Sequence, residues 1–252
     1  MKRVLVTGAN GQLGLALQEA AKDSNLDLVF LDKNMLDITD TEAINEVFAT
    51  KSFDVCINAA AYTHVDGAEA NKELAYTINA TAVETLAKAC KQHDCWLIHI
   101  STDYVFDGKL DRPYTTSDNP NPLNVYGASK LAGEQAIQAV GGNYSIVRTS
   151  WLYSRYGNNF YTKLQGKVIA GKTLRVTSDQ EGCPTSAEYL ASYLLRGIVN
   201  QKLAKGISHY CGNEVMTWLD LARRLFPNQE VLAWGGASSP TIRPKKVVLK
   251  KQ

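Results

Sequence analysis

A glycine-rich loop near the N-terminus constrains the fold of this chain more than any other segment. The β-branched run Arg3–Thr7 is typical of a buried parallel strand, and the apolar periodicity of residues 12–21 predicts a helix. Between them, Gly8, Gly11 and Gly14 form a GxxGxxG pattern. A strand, a glycine turn and a helix N-terminus form a phosphate cradle, because backbone N–H groups and the helix dipole face the anion. The spacing differs from the familiar GxGxxG, so an ordinary glycine loop is the alternative.

Strand and helix patterns alternate beyond this loop. Strands are predicted at residues 3–7, 28–31, 54–58, 96–100 and 144–148. Helices are predicted at residues 12–21, 41–49, 72–92, 126–140 and 186–199. This alternation predicts an α/β fold with right-handed crossovers and a doubly wound parallel sheet. We expect a nucleotide-binding Rossmann domain over residues 1–148, with a return helix at about 186–200, and a small substrate-binding lobe over residues 149–185 and 201–252.

Composition excludes several classes of function. The 252 residues are 45% hydrophobic and 21% charged, with a net charge of +2, which is ordinary for a globular chain and predicts neither nucleic-acid nor membrane binding. No apolar run approaches the ~20 residues that span a bilayer, and no secretory signal is recognisable. The cysteines are odd in number, five, and contain no CxxC, which favours a reducing cytoplasm.

Two local clusters are expected to be structural. Cys90, His93 and Cys95 lie close together, but they straddle a helix end and a strand start without a second ligand pair, so we expect no metal site there. The lysines near the C-terminus are expected to be a solvated surface; they are Lys245, Lys246, Lys250 and Lys251.

Tyr126 and Lys130 are the candidate catalytic pair. Four residues apart on a predicted helix, which Asn124 could start, they share one face. A phenol beside an ammonium suits proton transfer, because the positive charge stabilises the phenolate. A surface Tyr–Lys pair is the alternative. Thr102 follows a predicted strand at its carboxyl end, where ligands bind in open α/β sheets. His99, inside that strand, is expected to be a satisfied core histidine.

The residues after the second predicted strand bear on cofactor choice. Asp32 is placed to accept hydrogen bonds from an adenosine ribose, and a strand-end turn is its alternative role. Lys33 follows at once and would attract a 2′-phosphate. The residue pattern therefore leaves NADH and NADPH both open.

Four elements together resemble the extended short-chain dehydrogenase/reductases: Gly8-xx-Gly11-xx-Gly14, Asn58-Ala59-Ala60, Ser101-Thr102 and Tyr126-xxx-Lys130. Within that group the chain resembles the dTDP-4-dehydrorhamnose reductases. The likeness rests on residues 58–69, 101–108, 122–127, 148–153, 157–160 and 179–185. It covers roughly residues 1–225 and then fades. Arg243-Pro244 resembles the family's Arg-Pro element, while Glu181 stands where many relatives have an aromatic residue.

The resemblance implies reduction of the 4-keto group of dTDP-4-dehydro-L-rhamnose to dTDP-L-rhamnose by NADPH or NADH. Tyr126 would donate the proton, Thr102 would orient the carbonyl, and Lys130 would stabilise the tyrosinate and contact the ribose. Residues 148–160 would lie against the dTDP moiety, with Trp151 beside the sugar. A homodimer and a bound magnesium ion are implied by the resemblance alone.

The complete set of expected contacts is larger. Expected cofactor contacts are Gly8, Asn10, Gly11, Gln12, Leu13, Gly14, Asp32, Lys33, Asp37, Ile38, Ala59, Ala60, Ala61, Tyr62, Tyr126 and Lys130. Expected substrate contacts are Thr63, Val65, Asp66, Thr102, Asp103, Tyr104, Trp151, Asn159 and Arg243.

Two other functions remain alternatives. A sugar-nucleotide 4,6-dehydratase or 4-epimerase would share the cofactor and the Tyr–Lys pair. Dehydratases of this kind carry Asp-Glu after the threonine, whereas Asp103 is followed by Tyr104. The second alternative is a non-catalytic NADP-binding regulatory subunit that resembles the β subunit of methionine adenosyltransferase. Turnover of reduced cofactor with the keto-sugar nucleotide distinguishes it from an enzyme.

Overall fold

The computed structural model of the protein describes residues 1–22, 24–235 and 240–251. The strands are β1 Arg3–Thr7, β2 Asp27–Leu31, β3 Val55–Asn58, β4 Trp96–Thr102, β5 Tyr144–Thr149, β6 Leu152–Tyr153, β7 Leu174–Val176, β8 Glu181–Gly182, β9 Thr185–Ser186, β10 Gly206–His209, β11 Met216–Thr217 and β12 Val231–Ala233. The α-helices are α1 Gln12–Ala21, α2 Thr41–Thr50, α3 Val65–Ala70, α4 Lys72–Tyr76, α5 Ala82–Gln92, α6 Val125–Val140, α7 Phe160–Ile169, α8 Ala187–Val199 and α9 Trp218–Leu225.

A parallel sheet in the order β10-β5-β4-β3-β1-β2 forms the centre of the molecule. The predicted α/β doubly wound sheet is therefore confirmed. The strand Gly206–His209 pairs with β5, although the sequence placed residues 201–252 entirely in the small lobe. The reason is that α8 returns the chain across the sheet to its open edge, where a parallel strand completes the pairing of β5.

Side-chain alternation along the buried strands supplies two hydrophobic layers. On β1, Val4 and Val6 pack with α1 and α8 on one face, while Leu5 packs with α2 and α5 on the other. The strands β1, β3 and β4 are almost wholly buried, as expected for a parallel sheet covered on both faces. Their carboxyl ends all open toward the same edge, where the loops that follow them converge.

The predicted helix over residues 72–92 is divided by a π-helical turn at Thr77–Thr81, between α4 and α5. The turn directs the buried Asn79 side chain toward the loop after β3, where it exchanges hydrogen bonds with the backbone N–H and C=O of Tyr62. Asn79 also donates to Ser129 on α6 at 3.0 Å. Periodicity alone does not reveal the turn, because its cause is this tertiary contact.

A second, smaller core lies beyond the sheet. Helices α7 and α9 pack against the parallel pair β7–β12 around Leu164, Leu174 and Phe226. In the described part of the chain, no helix is long and apolar enough to cross a membrane.

The segment after residue 243 packs against both parts of the molecule. Its backbone hydrogen-bonds to Tyr114 and to Glu181, and Val247 and Leu249 are buried. The lysines that alternate with them are exposed, as predicted; they are Lys245, Lys246, Lys250 and Lys251. Glu181, noted as a departure from the family pattern, forms an ion pair with Lys246 at 3.1 Å.

Candidate active site and dinucleotide cleft

The N-terminus of α6 is fixed from three directions. Asn124, the predicted start of the helix, accepts a hydrogen bond from the Gly127 N–H at 2.9 Å and caps it. Glu69 accepts from the Val125 N–H at 2.8 Å. The Asn124 amide also donates to the carbonyl of Ile242, which joins the helix start to the C-terminal segment. These contacts fix the first two turns of α6, which carry the candidate catalytic pair.

One cleft runs along the carboxyl edge of the sheet, and its two halves share Gly11, Ala59 and Ala61. One half is lined by Gly8, Gly11, Lys33, Leu36, Asp37, Ile38, Ala59, Ala60, Ala61 and Ile78. Of the predicted residues, the other half brings together Asn10, Gln12, Leu13, Thr63, Val65, Thr102, Asp103, Tyr104, Tyr126, Lys130, Trp151, Asn159 and Arg243. Most of the predicted cofactor and substrate residues therefore lie in one continuous cleft.

The glycine loop has the geometry of a phosphate cradle. Gly8 has a φ of +67°, and a Cβ there would lie 2.7 Å from the backbone nitrogen of Ala60. A Cβ on Gly14 would lie 2.5 Å from the Gly8 carbonyl oxygen, so this glycine lets α1 pack on the loop. Gly11 is the N-cap of α1 and has no side chain with which to cap it. The helix N-terminus therefore opens into the cleft, which fits the diphosphate of a dinucleotide.

Asp32 is already engaged at the end of β2. Its Oδ2 accepts from the Asn10 amide at 2.5 Å, and its Oδ1 accepts from the N–H groups of Asn34 and Met35. Asp32 therefore stabilises the turn at the end of the strand, which was the alternative role considered from the sequence. Its bond with Asn10 also connects it to the glycine loop. Lys33 is exposed and pairs with Asp37 at 3.7 Å.

Tyr126 stands in the cleft wall beside Thr102. Its ring meets that of Tyr104 edge-on, with centroids 5.5 Å apart. Burial raises the pKa of the Tyr126 phenol above its usual value, while the nearby Thr102 hydroxyl opposes the rise. The phenol is therefore protonated at neutral pH in the free protein and has a proton to donate. Lys130 therefore does not lower the pKa of this phenol in the free protein; a lowering by Lys130 together with the oxidised nicotinamide stays a prediction for the cofactor complex.

Lys130 does not lower the pKa of the Tyr126 phenol because its amino group is engaged by other partners. Its Nζ donates to the carbonyl of Ile100 at 2.7 Å and lies 3.2 Å from Nε2 of His99. Burial lowers the pKa of Lys130 to about 8, partly opposed by Glu134 on the next turn. His99 is fully buried and hydrogen-bonded, so its predicted role as a satisfied core histidine is confirmed.

Asp103 lies behind Thr102. The carboxylate is 2% exposed, accepts from the Ser150 hydroxyl at 2.6 Å, and lies 3.2 Å from the Thr102 hydroxyl. Burial raises its pKa to about 6, against the lowering effect of these two hydrogen bonds. Asp103 is therefore positioned to orient Thr102, and its contact with substrate stays a prediction.

Two further residues, Arg148 and Asn159, have structural roles in the free protein. Arg148, at the start of the segment expected to face dTDP, is 1% exposed and forms a bidentate ion pair with Glu134 beneath the site. Asn159 caps α7, accepting from Tyr161 and Thr162 and donating to backbone carbonyls of the preceding loop. Its amide is therefore committed to the helix start.

The outer wall combines aromatic rings with one arginine. Arg243 donates to Asp66 at 2.8 Å and lies 3.3 Å from the Tyr104 hydroxyl. Trp151, with a φ of +47°, stacks on Trp218 with centroids 3.7 Å apart and an interplanar angle of 3°.

Sequence reasoning missed Trp218 and Lys163, which line the same cleft. Both belong to the small lobe, distant in sequence from the recognisable motifs. The only available signal was the run of aromatic residues after position 150.

The magnesium ion that the resemblance implied has no support in the site. In residues 1–22, 24–235 and 240–251, no group of three or more His, Cys, Asp or Glu side chains is arranged to hold a metal ion.

The parallel sheet, the glycine cradle and the Thr102–Tyr126–Lys130 set together define a Rossmann-fold oxidoreductase of the NAD(P)-binding class. Comparison with known families agrees and is more specific. The chain belongs to the family described as RmlD substrate binding domain, whose sequence model matches residues 1–248. This match extends well beyond residue 225, where the sequence likeness was expected to fade.

Individual relatives have consistent names. The dTDP-4-dehydrorhamnose reductase of Escherichia coli (strain K12) is 39% identical over 230 residues, which cover 88% of this chain and 77% of that protein. The crystal structure of the Bacillus anthracis dTDP-4-dehydrorhamnose reductase in complex with NADP superimposes with a TM-score of 0.92. It is 36% identical and covers 100% of this chain and 91% of its own. The crystal structure of a dTDP-4-dehydrorhamnose reductase from Clostridium acetobutylicum has a TM-score of 0.92 and is 38% identical; the match covers 99% of this chain and 90% of that one.

Proposed function

We propose that this protein reduces the 4-keto group of dTDP-4-dehydro-L-rhamnose to dTDP-L-rhamnose with NADPH or NADH. The observation that carries the proposal is the meeting of the Tyr126 phenol, the Thr102 hydroxyl and a glycine phosphate cradle in one cleft. The names of the relatives support the choice of substrate. The bound nicotinamide supplies the hydride; the protein must position the sugar and supply the proton.

The cofactor would lie along the carboxyl edge of the sheet. Backbone N–H groups at the start of α1 would hold the diphosphate, because Gly11 leaves that helix end open. The small side chains of Ala59, Ala60 and Ala61 leave room for the adenosine half beside Ile38. Lys33 stands at this end of the cleft, where it would attract a 2′-phosphate.

Tyr126 is the proposed general acid. Its raised pKa keeps the phenol protonated at neutral pH, and the Thr102 hydroxyl lines the same part of the cleft. Negative charge develops on the substrate oxygen during reduction, so a hydroxyl donor placed there stabilises the transition state more than the ground state. Positioned proton donors of this kind contribute roughly 10²- to 10⁴-fold to rates.

The outer wall suits a sugar nucleotide. Trp151 and Trp218 offer flat apolar surfaces of the kind that pack against sugar rings or bases, and Lys163 and Arg243 add cationic groups near them. Arg243 is held by Asp66 in the free protein, so a diphosphate would compete with that carboxylate.

The arrangement disfavours the dehydratase alternative. After Thr102 and Asp103, the position at which dehydratases carry a glutamate is occupied by Tyr104. The Tyr104 hydroxyl is hydrogen-bonded to Arg243, and burial raises its pKa, so it is a poor base at neutral pH. Net elimination of water lacks a suitable group at this point of the cleft.

The test is oxidation of NADPH with enzymatically generated dTDP-4-dehydro-L-rhamnose, with the product identified by NMR. We expect stoichiometric formation of dTDP-L-rhamnose, and a Tyr126→Phe variant that binds NADPH normally but turns over roughly 10²- to 10⁴-fold more slowly. Tight NADPH binding without turnover by the wild-type protein would favour the regulatory-subunit reading. A product epimeric at C4 would indicate a different sugar-nucleotide reductase.

A further inference from the structure

A line of buried polar groups connects the cofactor loop with Lys130. The side chains of Thr7, Asn58, His99 and Lys130 are at most 2% exposed. The Thr7 hydroxyl donates to Oδ1 of Asn58 at 2.7 Å. Nδ2 of Asn58 lies 3.1 Å from Nδ1 of His99, whose Nε2 lies 3.2 Å from Nζ of Lys130. Because an unmatched buried polar group is costly, each donor here should face an acceptor.

The backbone of Ala60 fixes one end of this line. Its N–H donates to Oδ1 of Asn58 at 3.2 Å. A backbone N–H can only donate, so the atom that faces it must be the amide oxygen. Reversing the Asn58 amide would set two donors against each other at Ala60. The Asn58 NH₂ group is therefore the one that faces His99.

The proton on His99 follows from this orientation. Nδ1 must accept from Asn58 and is therefore unprotonated. Burial and the nearby Lys130 lower the pKa of His99 well below its usual value, so the ring is neutral and has a single proton. That proton is on Nε2, which faces Lys130. A neutral amine accepts it through its lone pair, whereas an ammonium would oppose one N–H with another.

We propose that His99 is a positioning residue for Lys130: its Nε2–H favours the neutral amine beside the ring and turns a protonated lysine away, toward the cleft. This inference deepens the proposed function, since Lys130 is the group expected to stabilise the Tyr126 phenolate. The lysine would then carry its charge where the phenolate forms, and lose it where His99 holds it. A general core role for His99 makes no such demand on the position of its proton.

Few other titratable groups face Lys130. Glu134 stands one turn along α6 and is already paired with Arg148. Tyr126 and Asp103 border the same part of the cleft, beyond Thr102. In the described part of the chain, the hydrogen bonds found for Lys130 Nζ are those with His99 and with the Ile100 carbonyl.

The first test is the tautomer of His99 in the wild-type, cofactor-free protein, read from its ring nitrogens by ¹⁵N NMR at neutral pH. The proposal requires Nε2–H. A spectrum with the proton on Nδ1 would overturn it without any variant. The measurement uses neither substrate nor cofactor, so failure of the reductase assay and failure of this inference are separate results.

The second test is Asn58→Asp. The carboxylate retains an acceptor for Thr7 and Ala60, and it replaces the NH₂ donor with an acceptor toward Nδ1 of His99. We expect the His99 proton to move to Nδ1, and the pKa of Lys130, followed through its Nζ and Cε resonances, to rise by at least about one pH unit. The added negative charge alone would also raise the lysine pKa, so the tautomer is the deciding readout. An unchanged Nε2–H tautomer in a folded variant would contradict the proposal.

A third test, with a second variant, keeps the proposal falsifiable if Asn58→Asp does not fold. His99→Phe retains an aromatic ring but removes the N–H, so the pKa of Lys130 in the free protein should rise. The matched control is His209→Phe, which replaces a buried histidine of β10 whose ring packs on Phe106. The control should leave the Lys130 titration unchanged. Equal titrations in His99→Phe and wild type would overturn the proposal.

Discussion

Glu134 and Lys130 lie on consecutive turns of α6 and are both buried, but they differ in whether an opposite charge pairs with them. Glu134 is fully buried and receives a bidentate ion pair from Arg148 and a further hydrogen bond from the Ser101 hydroxyl at 2.5 Å. Lys130, four residues earlier, is just as buried, yet among the described residues its Nζ bonds only a neutral ring and a backbone carbonyl. The charge of Glu134 is therefore paired with an opposite charge, whereas a charge on Lys130 is not.

The difference separates a structural group from a functional one. A paired buried charge is worth little relative to an apolar core, but it orients the elements that carry it, here α6 on β4 and β5. An unpaired buried lysine destabilises the fold and is usually retained because its perturbed pKa is used. Asp103 belongs with Lys130, because the partners found for its carboxylate among the described residues are neutral groups, which include the hydroxyls of Ser150 and Thr102. The two kinds of site should respond to mutation with opposite signs.

The largest effect is expected where pairing is complete. Glu134→Gln should lower the free energy of unfolding by about 3–5 kcal/mol, because it leaves the Arg148 guanidinium buried without its counter-charge. Urea denaturation at pH 7.5 measures the loss. The control is Glu214→Gln, which breaks an equally bidentate pair with Arg224 at the exposed surface. We expect no measurable loss in the control; equal losses would remove the distinction between buried and exposed pairs.

Removing the unpaired lysine should instead stabilise the fold. Because the pKa of Lys130 is lowered from 10.5 to about 8, the wild-type protein carries the full cost of burying the ammonium below pH 8. The cost disappears as pH rises from 8 to above 10.5. Lys130→Met should therefore be more stable by about 3 kcal/mol at pH 7 and lose this advantage in alkali.

Activity and a surface control sharpen the Lys130 prediction. The variant should lose turnover and NADPH affinity while gaining stability. Lys88→Met, on the exposed face of α5, removes a lysine of ordinary environment and should change neither stability nor activity. A destabilised Lys130→Met protein would place Lys130 with Glu134 as a structural group.

Asp103 should show the mirror-image pH dependence. Its pKa is raised from 3.8 to about 6, so the ionised form destabilises the folded state above pH 6, and that cost vanishes below about pH 4. Asp103→Asn should stabilise the protein by up to about 3 kcal/mol at pH 7.5 and by almost nothing at about pH 3. Unfolding midpoints in urea across this range test it. A stability difference independent of pH would show that the carboxylate is neutral, or solvated, throughout.

The contrast also explains what the sequence could and could not predict. Local patterns sufficed for the helix Gln12–Ala21, for the Asn124 cap and for the strand ends that carry Thr102. These features depend on periodicity and on residue types at fixed offsets. The candidate catalytic pair could be proposed for the same reason, since Tyr126 and Lys130 belong to one local motif.

Features set by distant partners were not predictable. The direction of the Lys130 head group depends on His99, a strand residue whose sequence position indicates burial but not contact. The commitment of Arg148 to Glu134 joins β5 to α6, and the Trp151–Trp218 stack joins segments far apart in the chain. The resemblance placed Arg148 against the substrate because its motif borders the cleft, while its side chain points into the core.

The smallest expected effect lies at the exposed end of the cleft, where charges are neither buried nor fully paired. Lys33 is exposed and pairs loosely with Asp37, so its attraction for a 2′-phosphate is screened by solvent. Lys33→Ala should shift the ratio of kcat/KM values toward NADH by less than about tenfold, and the shift should shrink as salt is raised. Lys51→Ala, which changes an exposed lysine beyond α2, is the control and should leave the ratio unchanged.

Asp32 is the poorer choice for substitution, because its carboxylate also supports the glycine loop through Asn10, and removing it would change the cradle as well as the charge. A Lys33→Ala shift of a hundredfold or more would mean that this lysine becomes buried against the cofactor, as Lys130 is buried against the sheet.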